Sequence, residues 1–233
     1  VKTAGCNLYF TRLEGYILLC YQIIPVTAFS QNCSLVWCDQ TKDAVLIDAG
    51  GDVDLLKSTV ESTGVNLKAV WLTHGHLDHA GGAQDLREQL GLPVIGPTAA
   101  DDFWLEGIEQ QCQMYGLNGL RNVQPDEWLK EGQTLSIGKE TLEVLETPGH
   151  TPGHIIFFHK AQKVAWVGDV LFAGSIGRTD FPKGDHATLI SSITEKLWPL
   201  GDDVRFIPGH GPESTFGAER QSNPYVSDSV LSR

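Results

Sequence analysis

The 233-residue chain is 41% hydrophobic and 20% charged, a globular composition with enough length for one large domain. Lysine and arginine number 17 against 29 aspartates and glutamates; the resulting charge of −12 argues against a nucleic-acid partner, because phosphate binding needs clustered cations. Five cysteines without a CxxC pair read as reduced thiols, which points to a cytoplasmic protein and away from a disulfide-stapled secreted one.

Taken in chain order, residues 16–29 are largely apolar, but Gln22 and Pro25 interrupt the run. It is too short for a bilayer span of about 20 residues, so no membrane association is expected. Lys2 and Arg12 are poorly placed for the charged region of a signal peptide. Residues 1–20 read as an appended or upstream-translated segment, and 21–233 as a single domain. Runs at 21–26, 33–38 and 44–51 read as strands of an antiparallel meander, with Cys33 and Cys38 as buried or half-buried thiols. A helix over 53–63, a strand over 69–73, a helix over 80–90 and a short strand over 93–96 follow. Residues 98–130 interleave Trp104, Met114, Tyr115, Leu117, Leu120 and Trp128 with acids and amides. This stretch reads as helical, either a partial flap over a site or an excursion packed on the core. Strands at 134–137, 141–146, 155–158 and 164–167 come next. A helix over 187–197, opened by Asp185, and a strand over 204–207 close the series. Two β-rich halves, each finishing in strand–helix alternation, describe a layered α/β sandwich.

The densest chemistry lies just after the apolar run 69–72, where His74, His76, Asp78 and His79 fall within six positions. Imidazole and carboxylate are the ligand types that zinc and its borderline neighbours prefer. Three further apolar strands end in the same residue types, at Gly149-His150, Gly168-Asp169 and Gly209-His210. Functional groups of α/β proteins gather outside strand ends, so these residues are expected to meet. Seven ligands are too many for one tetrahedral ion and suit two. His74, His76 and His150 form one group, Asp78, His79 and His210 a second, and Asp169 a bridge.

The run His74 to His79, with its HxHxDH pattern, followed by His150, Asp169 and His210 in that order, resembles the metallo-β-lactamase fold superfamily over residues 21 to about 215. The resemblance implies a four-layer αββα sandwich of the α/β class, two divalent metal ions, and the ligand division just given. Zinc is the default metal; iron and manganese suit the same donors. In the class B β-lactamases the position of Asp169 is typically Cys, whereas Asp is typical of hydrolytic dinuclear members. Residues 147–154 (TPGHTPGH), 177–182 (GRTDFP) and 208–212 (PGHGP) are similar to the glyoxalase II group, hydroxyacylglutathione hydrolases, especially its short bacterial form. Longer members carry a helical C-terminal domain that helps hold glutathione; here about twenty residues follow His210.

The expected activity is hydrolysis of an S-2-hydroxyacylglutathione, such as S-lactoylglutathione, by a metal-bound hydroxide held between Asp78 and Asp169. Two cations less the carboxylates and hydroxide leave a local charge of about +1, attractive to a carboxylate-bearing thioester. Arg178 and Lys183 are the candidates for holding that carboxylate, and Asp48, ending a strand, for orienting a ligand imidazole. His154 is read as packing nearby without coordinating, and His159 and His186 as surface residues. A persulfide dioxygenase of the same fold would use one iron on His74, His150 and Asp169 to act on glutathione persulfide. Residues 173–177 (AGSIG) imitate a serine-hydrolase elbow, which would require a helix after Ser175. A non-catalytic metal module is a further reading.

Overall fold

The computed structural model describes residues 18–232; of the expected N-terminal segment, 1–17 lie outside the described residues. Strands β1 (Leu19–Val26), β2 (Gln31–Cys38) and β3 (Asp43–Ile47) form the meander, with β1 beginning ahead of the expected Tyr21. β4 (Asn66–Trp71) and β5 (Val94–Ile95) then add in parallel. Parallel neighbours need crossovers. Helix α1 (Val53–Thr63) supplies the first, and α2 (Leu77–Ala80) with α3 (Ala83–Leu90) the second. The single helix expected over 80–90 is two, because Gly81 and Gly82 interrupt it. There the Gly82 N–H donates to the Ala49 carbonyl (2.9 Å), and a Cβ on Gly82 would lie 2.8 Å from that oxygen. The excursion that follows is helical through the short turn Ala99–Asp101, α4 (Asp102–Leu105) and α5 (Ile108–Tyr115), and irregular beyond.

The second sheet contains β6 (Thr134–Ile137), β7 (Glu140–Glu146), β8 (Ile155–His159) and β9 (Val164–Gly168). A two-residue ribbon, β10 (Leu171–Phe172) with β11 (Ser175–Ile176), stands apart, and no helix opens after Ser175, so the elbow is not formed. Helix α6 (His186–Ser191) follows, with the Asp185 side chain accepting from Thr188 N at 2.7 Å. β12 (Arg205–Pro208), β13 (Ser214–Thr215), α7 (Phe216–Ser222) and α8 (Asp228–Leu231) complete the chain. The sheet order is β13-β12-β9-β8-β7-β6.

Side-chain alternation along the strands separates the layers, since successive residues face opposite sides of a sheet. Val45, Ile47, Ile155, Phe157, Val164 and Trp166 meet between the two sheets. Their neighbours Ala44 and Leu46 turn towards Leu56 of α1 and Leu86 of α3. Ile156, Phe158, Ala165 and Val167 turn towards Leu189 of α6 and Phe216 of α7. The result is the four-layer αββα sandwich, in which most strands are covered on both faces and therefore read as unbroken apolar runs. The same alternation corrects one expectation. His159 shares its parity with Ile155 and Phe157 and is sealed inside, its Nε2 2.7 Å from the Glu140 carboxylate. His186 is exposed, as expected. The four described cysteines, Cys20, Cys33, Cys38 and Cys112, are buried free thiols. Among the described residues no helix is long and apolar enough to cross a membrane.

Candidate metal centre

Strands β7 and β9 both run antiparallel to β8, and β12 runs parallel to β9, so these three end at one edge of the second sheet. His150, Asp169 and His210 follow those ends. From the first sheet, β4 leads into His74; His76 caps α2, and Asp78 and His79 occupy its first turn. Glycine is needed where the chain turns at this mouth. Gly149 and Gly168 take φ of +135° and +49°, where other residues are strained. A Cβ on Gly209 would lie 2.1 Å from Asp169 Oδ1.

The structure brings all seven expected donors together in two groups. His76 Nδ1 lies 3.2 Å from His74 Nε2 and 3.0 Å from His150 Nε2. His210 Nε2 lies 3.1 Å from Asp78 Oδ2, which is 3.9 Å from His79 Nε2. Asp169 reaches both groups: its Oδ1 is 3.3 Å from His79 Nε2, and its Oδ2 is 3.7 Å from His150 Nε2 and 3.8 Å from His210 Nε2.

The outer nitrogens fix the tautomers. His150 Nδ1 donates to the Arg178 carbonyl (2.7 Å) and His210 Nδ1 to the Phe29 carbonyl (3.2 Å). His79 Nδ1 donates to Asp48 Oδ2 (2.9 Å). The Thr73 hydroxyl donates to the same Asp48 oxygen (2.7 Å) and so accepts from His74 Nδ1 (3.0 Å). When each ring is neutral its one N–H is the outer one, and four Nε2 lone pairs face inward. His79 Nε2 and Asp169 Oδ1 are buried with no aligned hydrogen-bond partner among the described residues. Converging lone pairs beside unsatisfied buried acceptors suit cations, and outer-nitrogen acceptors of this kind are what orient metal-bound histidines. Asp48 lies close to His74 and His79, but its oxygens already serve Thr73 and His79, so it orients a ring instead of adding a donor.

Protonation cannot fill the first group. Burial pushes His74 far below its ordinary range, and the surrounding imidazoles push it further. Burial and His150 bring His76 down to about 3. His150 is lowered by burial, although Asp169 pulls it upward. The second group differs. Burial opposes charge on His79, yet Asp169, Asp48 and Asp78 together hold it well above the ordinary imidazole range. Asp169 is held far below a normal carboxylate, its burial being outweighed first by His79.

His154 cannot join as a donor. Its Nε2 accepts from Asp169 N (3.1 Å), its Nδ1 faces the Thr147 hydroxyl (3.3 Å), and its ring stacks on His74 at 4.7 Å. The two expected carboxylate-binding cations sit at the rim already engaged. Arg178 makes a two-pronged pair with Asp180 (2.9 and 2.8 Å) and lies 4.4 Å over Phe181, whose ring touches His76 and His150. Lys183 lies 3.8 Å over Phe103. Sequence reasoning missed Thr73, Asp101, Trp104 and Phe181. Asp101 in Ala-Ala-Asp-Asp carried no motif; Trp104 fell in the stretch read as a flap or a packed excursion, and Phe181 in the GRTDFP run, where neither ring was given a role of its own.

Comparison with known proteins bears on this geometry. A family described as the metallo-beta-lactamase superfamily matches residues 26–210. The hydroxyacylglutathione hydrolase GloC of Haemophilus influenzae is 49% identical over 207 residues, 88% of this chain and 97% of that one. Two crystal structures superpose over 88% of this chain and 99% of theirs. The B3 metallo-beta-lactamase BLEG-1 does so with TM-score 0.81 at 33% identity, and TTHA1623 in a di-iron-bound form with TM-score 0.80 at 34% identity.

Proposed function

The chain belongs to the metallo-beta-lactamase superfamily, and from that premise we propose that it is a glyoxalase II-type hydrolase of S-2-hydroxyacylglutathione thioesters. It is a metallo-hydrolase; the thioester and its glutathione carrier are the finer reading. The observation that carries it is Asp169, whose Oδ1 faces His79 of one group while its Oδ2 lies between His150 of the other and His210. The identity with a hydroxyacylglutathione hydrolase over nearly the whole of both chains supports the choice of substrate.

His74, His76 and His150 would hold one divalent cation, Asp78, His79 and His210 the other, with Asp169 shared. When bound, such ions polarise a carbonyl and lower the pKa of water from 15.7 towards about 7. Zinc is the working assignment, and the di-iron form of TTHA1623 makes iron the alternative to test. Asp169 reaches both groups, and Asp78 Oδ2 lies beside His79 and His210; the two carboxylates would position the attacking water. Water gives up a proton to solvent as its oxygen adds to the acyl carbon, the C–S bond breaks, and the products leave as a thiolate, unaided because its thiol pKa is about 8.5, and an acid that loses its remaining proton to solvent. Arg178, exchanging Asp180 for a substrate carboxylate, and Lys183 would hold the glutathione end at the rim.

The test combines elemental analysis of purified protein with S-lactoylglutathione hydrolysis before and after chelation. About two metal ions per chain, and activity lost on chelation and restored by metal, are expected. Chelator-resistant hydrolysis, or metal-replete protein inert on thioesters, would refute the reading. Oxygen uptake with glutathione persulfide would replace it with the dioxygenase.

A further inference from the structure

Asp101 ends the short helical turn Ala99–Asp101 before α4 and is fully buried. It is not an expected metal donor, and among the described residues it makes no ion pair, Lys183 acting on it only at longer range. Instead its oxygens accept three hydrogen bonds. Oδ2 accepts from Gly75 N (2.9 Å) and from the Thr151 hydroxyl (2.7 Å); Oδ1 accepts from Gly153 N (2.6 Å). Burial pushes the carboxyl up and those three donors pull it part of the way back, which leaves it raised to about 6.

The donors come from two separate loops. Gly75 stands between His74 and His76, after β4 of the first sheet. Thr151 adjoins His150, and Gly153 adjoins His154, in the connection from β7 to β8 of the second sheet. Contact is tight on both sides. A Cβ on Gly153 would lie 2.6 Å from Asp101 N, and a Cβ on Gly75 would lie 3.0 Å from the Asp101 carbonyl and 2.6 Å from Trp104 Cβ. The Thr98 N–H also donates to the Gly153 carbonyl (3.2 Å), docking the same turn on the second loop. No comparable bond runs from Asp101 to Asp78, His79 or His210 among the described residues.

We propose that Asp101 is a positioning residue for the group His74, His76 and His150: one carboxylate bolts the two loops together and fixes the separation of their imidazoles. It acts on that group and leaves Asp78, His79 and His210 untouched. The proposal rests on reading these residues as a metal centre. Asn is the informative replacement, since each carboxylate oxygen faces a backbone N–H. Whichever way the amide turns, its NH₂ meets a donor. Outer partners of metal-holding residues are worth roughly 10- to 100-fold in metal affinity.

The experiment is a cobalt(II) titration of the full chain against a competing chelator, with the absorption bands of each site recorded. His76→Ala and His210→Ala assign each affinity to its group. Asp101→Asn is expected to weaken the three-histidine site by about 10- to 100-fold and change its bands, while the other site stays within about twofold. Thr151→Val, which removes one bond and keeps both backbone bonds, is expected to weaken the same site by a smaller factor. Circular dichroism checks the fold of both. Two affinities unchanged in Asp101→Asn, or two that fall by the same factor, would overturn the proposal; so would an unchanged Thr151→Val if Asp101→Asn does not fold. Wild-type protein that takes up no cobalt would remove the metal reading and the proposal together, a result unlike any of these.

Discussion

Asp48→Asn tests whether the carboxylate behind His79 sets the tautomer of that ring. Asp48 sits at φ +57°, a left-handed conformation that Asn also adopts, so the backbone is expected to survive the change. The native carboxylate accepts from Thr73 N (2.7 Å) on one oxygen, and from the Thr73 hydroxyl (2.7 Å) and His79 Nδ1 (2.9 Å) on the other. An amide has one oxygen to offer. If its NH₂ takes the first position, it opposes the Thr73 N–H, a buried donor–donor conflict costing about 1–3 kcal/mol. If it takes the second, His79 must accept at Nδ1 and carry its proton on Nε2, which turns an inward lone pair into an N–H. Either outcome should lower affinity at the Asp78–His79–His210 group by roughly 10- to 100-fold, about 1.4–2.8 kcal/mol. Chelator competition followed by elemental analysis measures it, and thermal melting of metal-free protein separates the stability cost, about 2–12 °C for a chain of this size. Wild-type affinity at both groups would refute the tautomer argument.

Asp169→Asn should remove the shared carboxylate; kcat/KM for the thioester should fall by about 10³-fold, with metal lost from both groups on elemental analysis. At the rim, Arg178→Ala should raise KM by about two- to fivefold with kcat unchanged, whereas Asp180→Asn should lower KM by freeing the guanidinium; steady-state kinetics reads both. Phe157→Ala opens a cavity between the sheets and should cost about 3–5 kcal/mol, or roughly 6–20 °C of melting temperature, without changing metal stoichiometry.

The donors were legible because ligand chemistry concentrates in the sequence: His74 to His79 is a local cluster, and His150, Asp169 and His210 each follow an apolar run and a glycine. The layered fold was legible from strand-like runs, yet those runs are apolar on both faces and hide alternation. That is why His159, a polar residue at a strand end, reads as surface although its parity places it inside. The break at Gly81-Gly82 depends on the close approach of Ala49, 33 residues before Gly82 in sequence and invisible to periodicity. Asp101 was illegible for a related reason. Its meaning lies in Gly75, Thr151 and Gly153, small residues whose role appears only when two loops meet.

Each donor group draws on both sheets: His74 and His76 against His150, Asp78 and His79 against His210. An ion in either group is therefore a rivet through the seam between the halves of the molecule, and neither half alone could grip it. Anything that binds the folded chain and not the unfolded one adds its binding energy to folding, about 4 kcal/mol at a thousandfold excess over Kd. With ions bound, the reactive centre and the mechanical join of the sandwich would be one and the same place, so wear on either would be felt by both.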